Sequence, residues 1–307
     1  MKSISLRIFQ SSKQALPKAG KTVLWLLRII LPISLIVSLM QYFGVIAFIA
    51  TYLSPVFSVI GLPGESAIVF ITSIFLSLYA PIAIIATLAL DLREVTILAI
   101  MCLISHNLIV ESAVQQKTGT SAVTMFVMRI IVSFIAAYIL NLLLPAHIGD
   151  NRIAEKSMVY ENINQMLVYW LIGAFRLVIK IVLIVTGLMI LQNILNEFKI
   201  LNFISGFFAP MMKIMGLSPE SSFLWFISQI VGLTYGSAIM IEAVEDEQIA
   251  RKDVNLLNYH IAINHSLLED TLLFVAIGVP AGWIVLPRFA LAIFIVWSVR
   301  LLFSKMK

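Results

Sequence analysis

Two histidines are the residues of this sequence best suited to chemistry. His106 and His265 both lie in strongly apolar segments, and each has an asparagine as its neighbour, Asn107 or Asn264. An imidazole in such surroundings binds a polar group of a substrate, a metal ion or a proton. The plain alternative is a histidine that only hydrogen-bonds the backbone of a neighbouring helix. Because ionisable groups are costly in an apolar medium, their recurrence favours a functional role, and we predict that all four residues bind a substrate or ion.

Two acids and two arginines accompany the histidines. Glu111 and Asp270 each follow their histidine by five residues, which on a continuous helix places them about 140° away from it. We therefore predict structural ion pairs between these acids and Arg129 and Arg288 of the next helix, with a functional role as the alternative. Glu269 does share a face with its histidine but has no acidic counterpart in the first half of the chain. No metal site is predicted, since metal ligands must converge.

A second set of polar residues lies where helices are expected to begin or break. Glu65 and Glu220 each open a helix after Gly or Pro, where a carboxylate favours the helix dipole or, alternatively, binds a cation or a substrate. Tyr79, Gln229 and Tyr235 lie at or near the predicted breaks, where unwound backbone and hydroxyl groups supply ligand hydrogen bonds. These five residues complete the predicted binding site.

The composition identifies the environment that these residues occupy. Of 307 residues, 61% are hydrophobic and only 12% are charged, whereas soluble domains have about 25% charged residues. The apolar blocks approach or exceed the roughly 20 residues that cross a bilayer as a helix. The sequence thus predicts an all-α integral membrane protein in contact with the lipid bilayer, and it excludes secreted disulfide folds and nucleic-acid binding.

Catalytic and energy-coupling motifs are missing from the sequence. It has no GxxxxGK[ST] phosphate loop, HExxH, GxSxG or CxxC, and its one cysteine, Cys102, lies in an apolar run. The sequence therefore predicts neither an enzyme nor an ATP-driven pump, and it predicts no cofactor.

The chain contains two copies of one unit. Gly61–Ser66 recurs as Gly216–Ser221, and Ser105–Ser112 recurs as Asn264–Thr271. The matches fall on Gly, Pro, Glu and His, which membrane helices use sparingly. The fold prediction rests mainly on this duplication.

Charge predicts how the two copies are inserted. No acid occurs before Glu65, although six basic residues do, and the acids stop again after Asp270. By the positive-inside rule both termini are cytoplasmic and the central linker is external. Each copy then crosses the membrane an odd number of times, which predicts two inverted-topology repeats of about three transmembrane helices each, plus a re-entrant helical hairpin. The hairpins are expected to break at Tyr79–Pro81 and Thr234–Ser237.

These observations divide the chain into four segments. Residues 1–21 form a basic cytoplasmic or interfacial segment, 22–146 the first repeat, 147–165 the external linker and 166–307 the second repeat. The predicted location is the cytoplasmic (inner) membrane of a bacterium or an archaeon.

With these motifs in hand, the sequence resembles the nucleoside-recognition, or Gate-domain, family. That family includes spore maturation proteins A and B, the gate regions of ferrous-iron transporters and parts of concentrative nucleoside transporters. The resemblance rests on the two glycine motifs and the two histidine motifs. It implies a re-entrant-hairpin transporter fold with a central site, and it implies a homo-oligomer. The cysteine-containing motifs of the iron-transporter gate have no clear match.

Three functions follow as hypotheses. The leading one is a secondary transporter of a small polar solute, with nucleoside-like solutes among the candidates, driven by protons or sodium. In it Glu65, Glu220, His106 and His265 form the central site. The second is a non-transporting membrane component that binds protein partners, as the spore-maturation resemblance suggests. The third is a divalent-metal transporter.

Overall fold

The protein is helical throughout the part that the structure describes. The computed structural model describes residues 4–148, 162–198, 200–230, 232, 240, 241, 243, 244 and 249–305. The helices are α1 Ile4–Tyr42, α2 Val45–Val59, α3 Ser66–Phe75, α4 Tyr79–Ile85, α5 Leu92–Ser105, α6 Leu108–Lys117, α7 Ala122–Leu143, α8 Ile163–Glu197, α9 Ile200–Ile214, α10 Ser222–Ile230, α11 Arg251–Ile263, α12 Leu267–Val275 and α13 Ala281–Lys305. A short 3₁₀ turn, Pro219–Ser221, leads into α10.

Four helical stretches among the described residues are long and apolar enough to cross a membrane. They are Leu92–Lys117, Ala122–Leu143, Ile163–Leu191 and Ala281–Leu302. The first consists of α5 and α6 with the histidine break between them. Many large apolar side chains of these stretches lie on the outside, as expected of helices that face lipid. The all-α membrane fold predicted from the composition is confirmed.

The longest helices, α1 and α8, pack against each other in opposite directions. Arg7 near the start of α1 donates to Glu197 at the end of α8, with Nε and Oε1 2.9 Å apart. Further along α1, Ser34 Oγ accepts from the indole of Trp170, close to the start of α8. These two helices are also the ones that the sequence repeat aligns with each other. The equivalent first helices of the two halves are therefore antiparallel.

The basic segment predicted at residues 1–21 is continuous with the first apolar helix. From Ile4 onward, α1 runs without interruption through the predicted boundary, over 39 residues. Most of the predicted linker lies outside the described residues. The same holds for the predicted second break at Thr234–Ser237.

The helix break predicted at Tyr79–Pro81 lies slightly earlier in the structure. Helix α3 ends at Phe75, Leu76 is extended, and Tyr79 already belongs to α4. Pro81 thus lies in the first turn of α4, where a proline removes no helical hydrogen bond, so it marks a helix start rather than the break. With 10 residues, α3 is about 15 Å long, half of a bilayer core of about 30 Å. It is too short to cross a membrane alone.

The two halves repeat their local backbone geometry. Gly61 and Gly216 both have a left-handed φ, 74° and 76°, and the next amide of each bonds back to the end of the preceding helix. Ser73 in α3 and Ser228 in α10 each donate from Oγ to the carbonyl three residues before, at 2.7 Å in both cases. The duplicated sequence therefore folds into duplicated turns.

Candidate functional site

Helix α5 starts with a strong cap and stops in the middle of the protein. The Asp91 carboxylate accepts from the amide of Glu94, and the Glu94 carboxylate accepts from the amide of Asp91. This reciprocal capping box fixes the start. The helix ends at Ser105, and His106 is already extended, with φ −67° and ψ 155°. The sequence analysis assumed a continuous helix from each histidine to its acid, but His106 lies at a helix break.

Both breaks are made by a left-handed residue after the histidine. Asn107 has φ 47° and Ser266 has φ 48°, and the described residues contain no other non-glycine residue with positive φ. The amide of Asn107 donates to Ser73 O, and that of Ser266 donates to the equivalent Ser228 O. A left-handed non-glycine residue costs free energy and persists only where its surroundings fix it, often at functional sites.

Two buried arginines hold the broken helix ends. Arg129 in α7 donates from Nε to Ile104 O and from Nη2 to His106 O, at 2.6 and 2.8 Å. In the second half Arg288 donates to Ile263 O and His265 O, at 3.2 and 2.8 Å. Both side chains are fully buried. Each guanidinium therefore supplies the donors that the interrupted helix cannot supply itself.

The two histidines meet between the halves. His106 Nε2 and His265 Nε2 are 3.3 Å apart, and their rings are tilted by 37°. Each Nδ1 lies within hydrogen-bond distance of the carbonyl four residues earlier, Cys102 O at 3.2 Å and Ile261 O at 2.7 Å. A carbonyl only accepts, so each Nδ1 donates, and in a neutral ring the Nε2 atom then carries a lone pair. Two acceptor nitrogens thus face the same point.

The acids that follow the histidines turn back toward them. Glu111 Oε1 lies 3.2 Å from His265 Nε2, and Asp270 Oδ2 lies 3.6 Å from His106 Nε2. The angle of about 140° expected from the sequence assumed a continuous helix. The left-handed residue interrupts that helix, so α6 and α12 start in new directions and bring each acid to the histidine of the other half.

The predicted ion pairs differ between the halves. Glu111 Oε2 lies 2.7 Å from Arg129 Nη1. Among the described residues no ion pair of this kind joins Asp270 and Arg288, and Asp270 Oδ2 instead lies 3.6 Å from His106 Nε2. The first acid therefore forms a close ion pair with its arginine, whereas the second does not.

Glu269 is a half-buried acid that the predicted site omitted. Its Oε1 accepts from the Tyr79 hydroxyl at 2.9 Å, which links α12 of the second half to α4 of the first. Tyr79 also borders a small apolar cavity, lined by Leu177 of α8 and Leu273 of α12 among others. The position of Glu269 on the face of His265 was the available signal, but the lack of an acidic counterpart argued against using it.

The remaining predicted residues divide into those near the histidines and those apart from them. Gln229 is buried and donates to Asn264 O at 2.6 Å, while its Oε1 and the amide group of Asn264 are buried without partners. Asn107 contributes its backbone, as described above. Glu65 is half-buried at the start of α3 and Glu220 is exposed. Neither side chain hydrogen-bonds a histidine or one of the acids that face the histidines. Tyr235 lies outside the described residues.

Together these contacts define a buried polar centre in an otherwise apolar helical membrane protein. We call the set His106, His265, Glu111, Asp270, Arg129 and Arg288 the central cluster. Its members come equally from both halves of the chain, at matching positions. Such a cluster can bind an ion or a small polar group, because its lone pairs and charges face inward and are shielded from lipid.

The chain belongs to the nucleoside-recognition (Gate) family of membrane proteins. The family model described as "Gate: Nucleoside recognition" matches residues 23–143. The chain is also 32% identical over 295 residues to the uncharacterized membrane protein YvoD of Bacillus subtilis strain 168, with 94% of each chain covered. No solved structure matches the chain. The resemblance found in the sequence is thereby confirmed; the family model covers residues 23–143, and the similarity to YvoD covers nearly the whole chain.

Proposed function

We propose that this protein is a secondary transporter, not an enzyme, and that it carries a small polar solute across the cytoplasmic membrane with an ion gradient as the driving force. The observation that carries the proposal is the contact between His106 and His265, buried between the two halves at two matching helix breaks. Discontinuous helices that meet around buried polar groups are typical of secondary transporters.

Further observations support inverted repeats as the framework. The equivalent helices α1 and α8 are antiparallel, and the charge distribution predicts cytoplasmic termini with an external linker. In our proposal one half moves against the other around the central cluster. The polar contacts between the halves, among them Tyr79 with Glu269, are then contacts that form and break during the cycle.

The geometry changes which residues we assign to the solute and ion site. His106, His265, Glu111 and Asp270 form its centre; beside it Gln229 supplies an unpartnered amide oxygen and Asn264 an unpartnered amide group. Glu65 and Glu220 are placed at the ends of helices away from these contacts. We assign them to the first turn of their helices, where a carboxylate favours the helix dipole.

Ligand binding and uptake together test the proposal. Detergent-purified protein is screened by thermal shift with nucleosides, bases, amino acids and carboxylates, with and without sodium and at two pH values. A ligand of the folded state raises the apparent melting temperature. Hits are then measured as uptake into proteoliposomes under proton and sodium gradients, where we expect saturable, gradient-dependent flux.

Matched variants locate the site. His106→Gln and His265→Gln should reduce uptake by about tenfold or more, as expected when a buried hydrogen bond to the solute is lost. His260→Gln is the control, because His260 is also buried but its side chain hydrogen-bonds Trp225 and no residue of the central cluster. Glu65→Gln should retain most of the uptake. Uptake that survives both central substitutions contradicts the site, and a protein that co-purifies with partners but moves no solute favours the partner-binding alternative.

A further inference from the structure

When both carboxylates are ionised, the two histidines and two acids of the central cluster present hydrogen-bond acceptors to one another with no donor between them. The Nδ1 atom of each histidine is used by a carbonyl, so the two neutral rings present only lone pairs at Nε2. Around this pair lie Glu111 Oε1, 3.2 Å from His265, and Asp270 Oδ2, 3.6 Å from His106. Four acceptors that face one another repel unless a positive species lies among them.

We propose that a divalent transition-metal ion binds between His106 Nε2, His265 Nε2 and the Asp270 carboxylate, with Glu111 Oε1 at the fourth position. The proposal names the ion of the site described under Proposed function and rests on that assignment of the site, but not on transport itself.

The distances suit a tetrahedral ion. Metal–ligand bonds of about 2.0–2.1 Å at tetrahedral angles place neighbouring ligand atoms about 3.3 Å apart. The two imidazole nitrogens are 3.3 Å apart, and the ligand atoms of His106, His265 and Asp270 all lie within 4.8 Å of one another. Closing on an ion thus needs only small movements of side chains.

The second layer of contacts is the one that metal-bound histidines require. In metal sites the ring nitrogen that does not bind the metal usually donates to a carbonyl or carboxylate, which fixes the tautomer and the ring orientation. Here Cys102 O and Ile261 O take that role for the two rings. Glu111 is oriented in turn by Arg129, because its other oxygen lies 2.7 Å from Nη1.

The charges also favour a cation. With neutral imidazoles and ionised acids, the carboxylates of Glu111, Glu269 and Asp270 outnumber the two guanidinium groups by one. Both guanidinium groups direct two nitrogens at backbone carbonyls. Imidazole ligands suit zinc, iron, nickel and copper, whereas calcium and magnesium prefer oxygen ligands, so we assign the site to a transition metal.

Metal binding to the purified full-length chain tests the proposal. The protein, with any histidine tag removed, is titrated with Zn²⁺ against a chromophoric chelator, and with Co²⁺ while its visible d–d absorption is recorded. We expect one ion per chain and a Co²⁺ spectrum of tetrahedral type. Asp270→Asn, His106→Gln and His265→Gln should each weaken binding by about 10- to 100-fold or more.

Two controls make the titration decisive. His260→Gln, which removes a buried histidine outside the central cluster, should bind as the wild type does. Asp270→Asn nearly preserves side-chain volume, so it remains informative if the histidine variants do not fold. The proposal is overturned if the wild type binds no stoichiometric ion, or if Asp270→Asn and His260→Gln bind equally.

The outcome is separable from that of the proposed transport. A chain that binds one metal ion but moves no solute in proteoliposomes retains this inference and loses the transport function. A chain that transports a solute with no metal bound, and without inhibition by strong chelators, retains the transport function and loses this inference.

Discussion

The two halves of the chain build the same helix break and complete it with different acids. In the first half Glu111 reaches Arg129, at 2.7 Å, and also faces His265. In the second half Asp270 is shorter by one methylene and faces His106, while Arg288 hydrogen-bonds two carbonyls and forms no close ion pair with Asp270. The two halves thus share a framework, and only the first half has a close contact between its acid and its arginine.

This difference suggests how two similar halves can form one binding site. A carboxylate that is paired with a buried arginine is stabilised in one position. A buried carboxylate without such a pair is costly on its own and therefore available to a cation or a ligand. We accordingly regard the first half as the rigid side of the central cluster and the second half as the responsive side.

The largest difference is expected when the arginines are removed. Arg129→Met should reduce the free energy of unfolding by about 3–5 kcal/mol, because it leaves Glu111 buried without a counter-ion and two carbonyls without donors. Arg288→Met should cost less, about 2–3 kcal/mol, because it removes two carbonyl hydrogen bonds but no close ion pair. Reversible denaturation in mixed micelles measures both, with the exposed Arg251→Met as control. Equal losses at the two arginines would remove the distinction.

The next largest difference in unfolding free energy between the two halves is expected when their acids are neutralised. Glu111→Gln should cost about 2–3 kcal/mol in metal-free buffer, because a buried guanidinium loses its partner. Asp270→Asn should change the unfolding free energy by less than about 1 kcal/mol, or raise it, since an unpaired buried carboxylate is itself unfavourable. The same denaturation assay with a chelator present compares them. A greater loss at Asp270 than at Glu111 would reverse the assignment of rigid and responsive sides.

The contact between Tyr79 and Glu269 has no acidic equivalent in the other half, since Val110 stands where Glu269 does. Tyr79→Phe should cost about 1 kcal/mol, the usual value of one hydrogen bond. Tyr138→Phe is the control, because Tyr138 is exposed on α7. If Tyr79→Phe behaves like the control, this bond contributes nothing to holding the halves together.

The smallest difference is expected at the left-handed residues. Ser266→Gly should stabilise the protein by about 1 kcal/mol, because glycine adopts a positive φ without strain, and Asn107→Gly by less, since asparagine tolerates that conformation better than serine. Thermal unfolding in detergent suffices to rank the two. Destabilisation by both glycines would mean that the Asn107 and Ser266 side chains contribute more than the backbone does.

The helical membrane fold could be predicted from the sequence, and so could the matching positions of the two histidines in the two halves. Composition and long apolar blocks indicate membrane helices directly, and the repeat pairs His106 with His265. The position of the acids could not be predicted. An acid five residues after a histidine lies in one direction if the helix is continuous and in another if the helix is broken between them. Asparagine tolerates a left-handed φ, but it also occurs within helices, so the residue type of Asn107 alone does not predict the break.

Glu65 and Glu220 show that a local sequence motif can be compatible with two roles. Their motif, a Gly and a Pro before a carboxylate, signals the start of a helix as well as a binding site. In the structure Glu220 is exposed, and Glu65 is half-buried without a hydrogen bond to either histidine. A local sequence pattern predicts where a helix begins. Predicting a binding site also requires knowledge of which helix ends lie next to each other in the fold.

The central claim is that residues of both halves act as one unit, and a double-mutant cycle tests it most directly. Glu111→Gln and His265→Gln are made singly and together, and the free energies of unfolding are compared in metal-free buffer. Groups 3.2 Å apart in one network should couple by about 1 kcal/mol or more. A cycle of Glu111→Gln with His260→Gln should be additive within about 0.5 kcal/mol. Additivity in the first cycle as well would contradict the account.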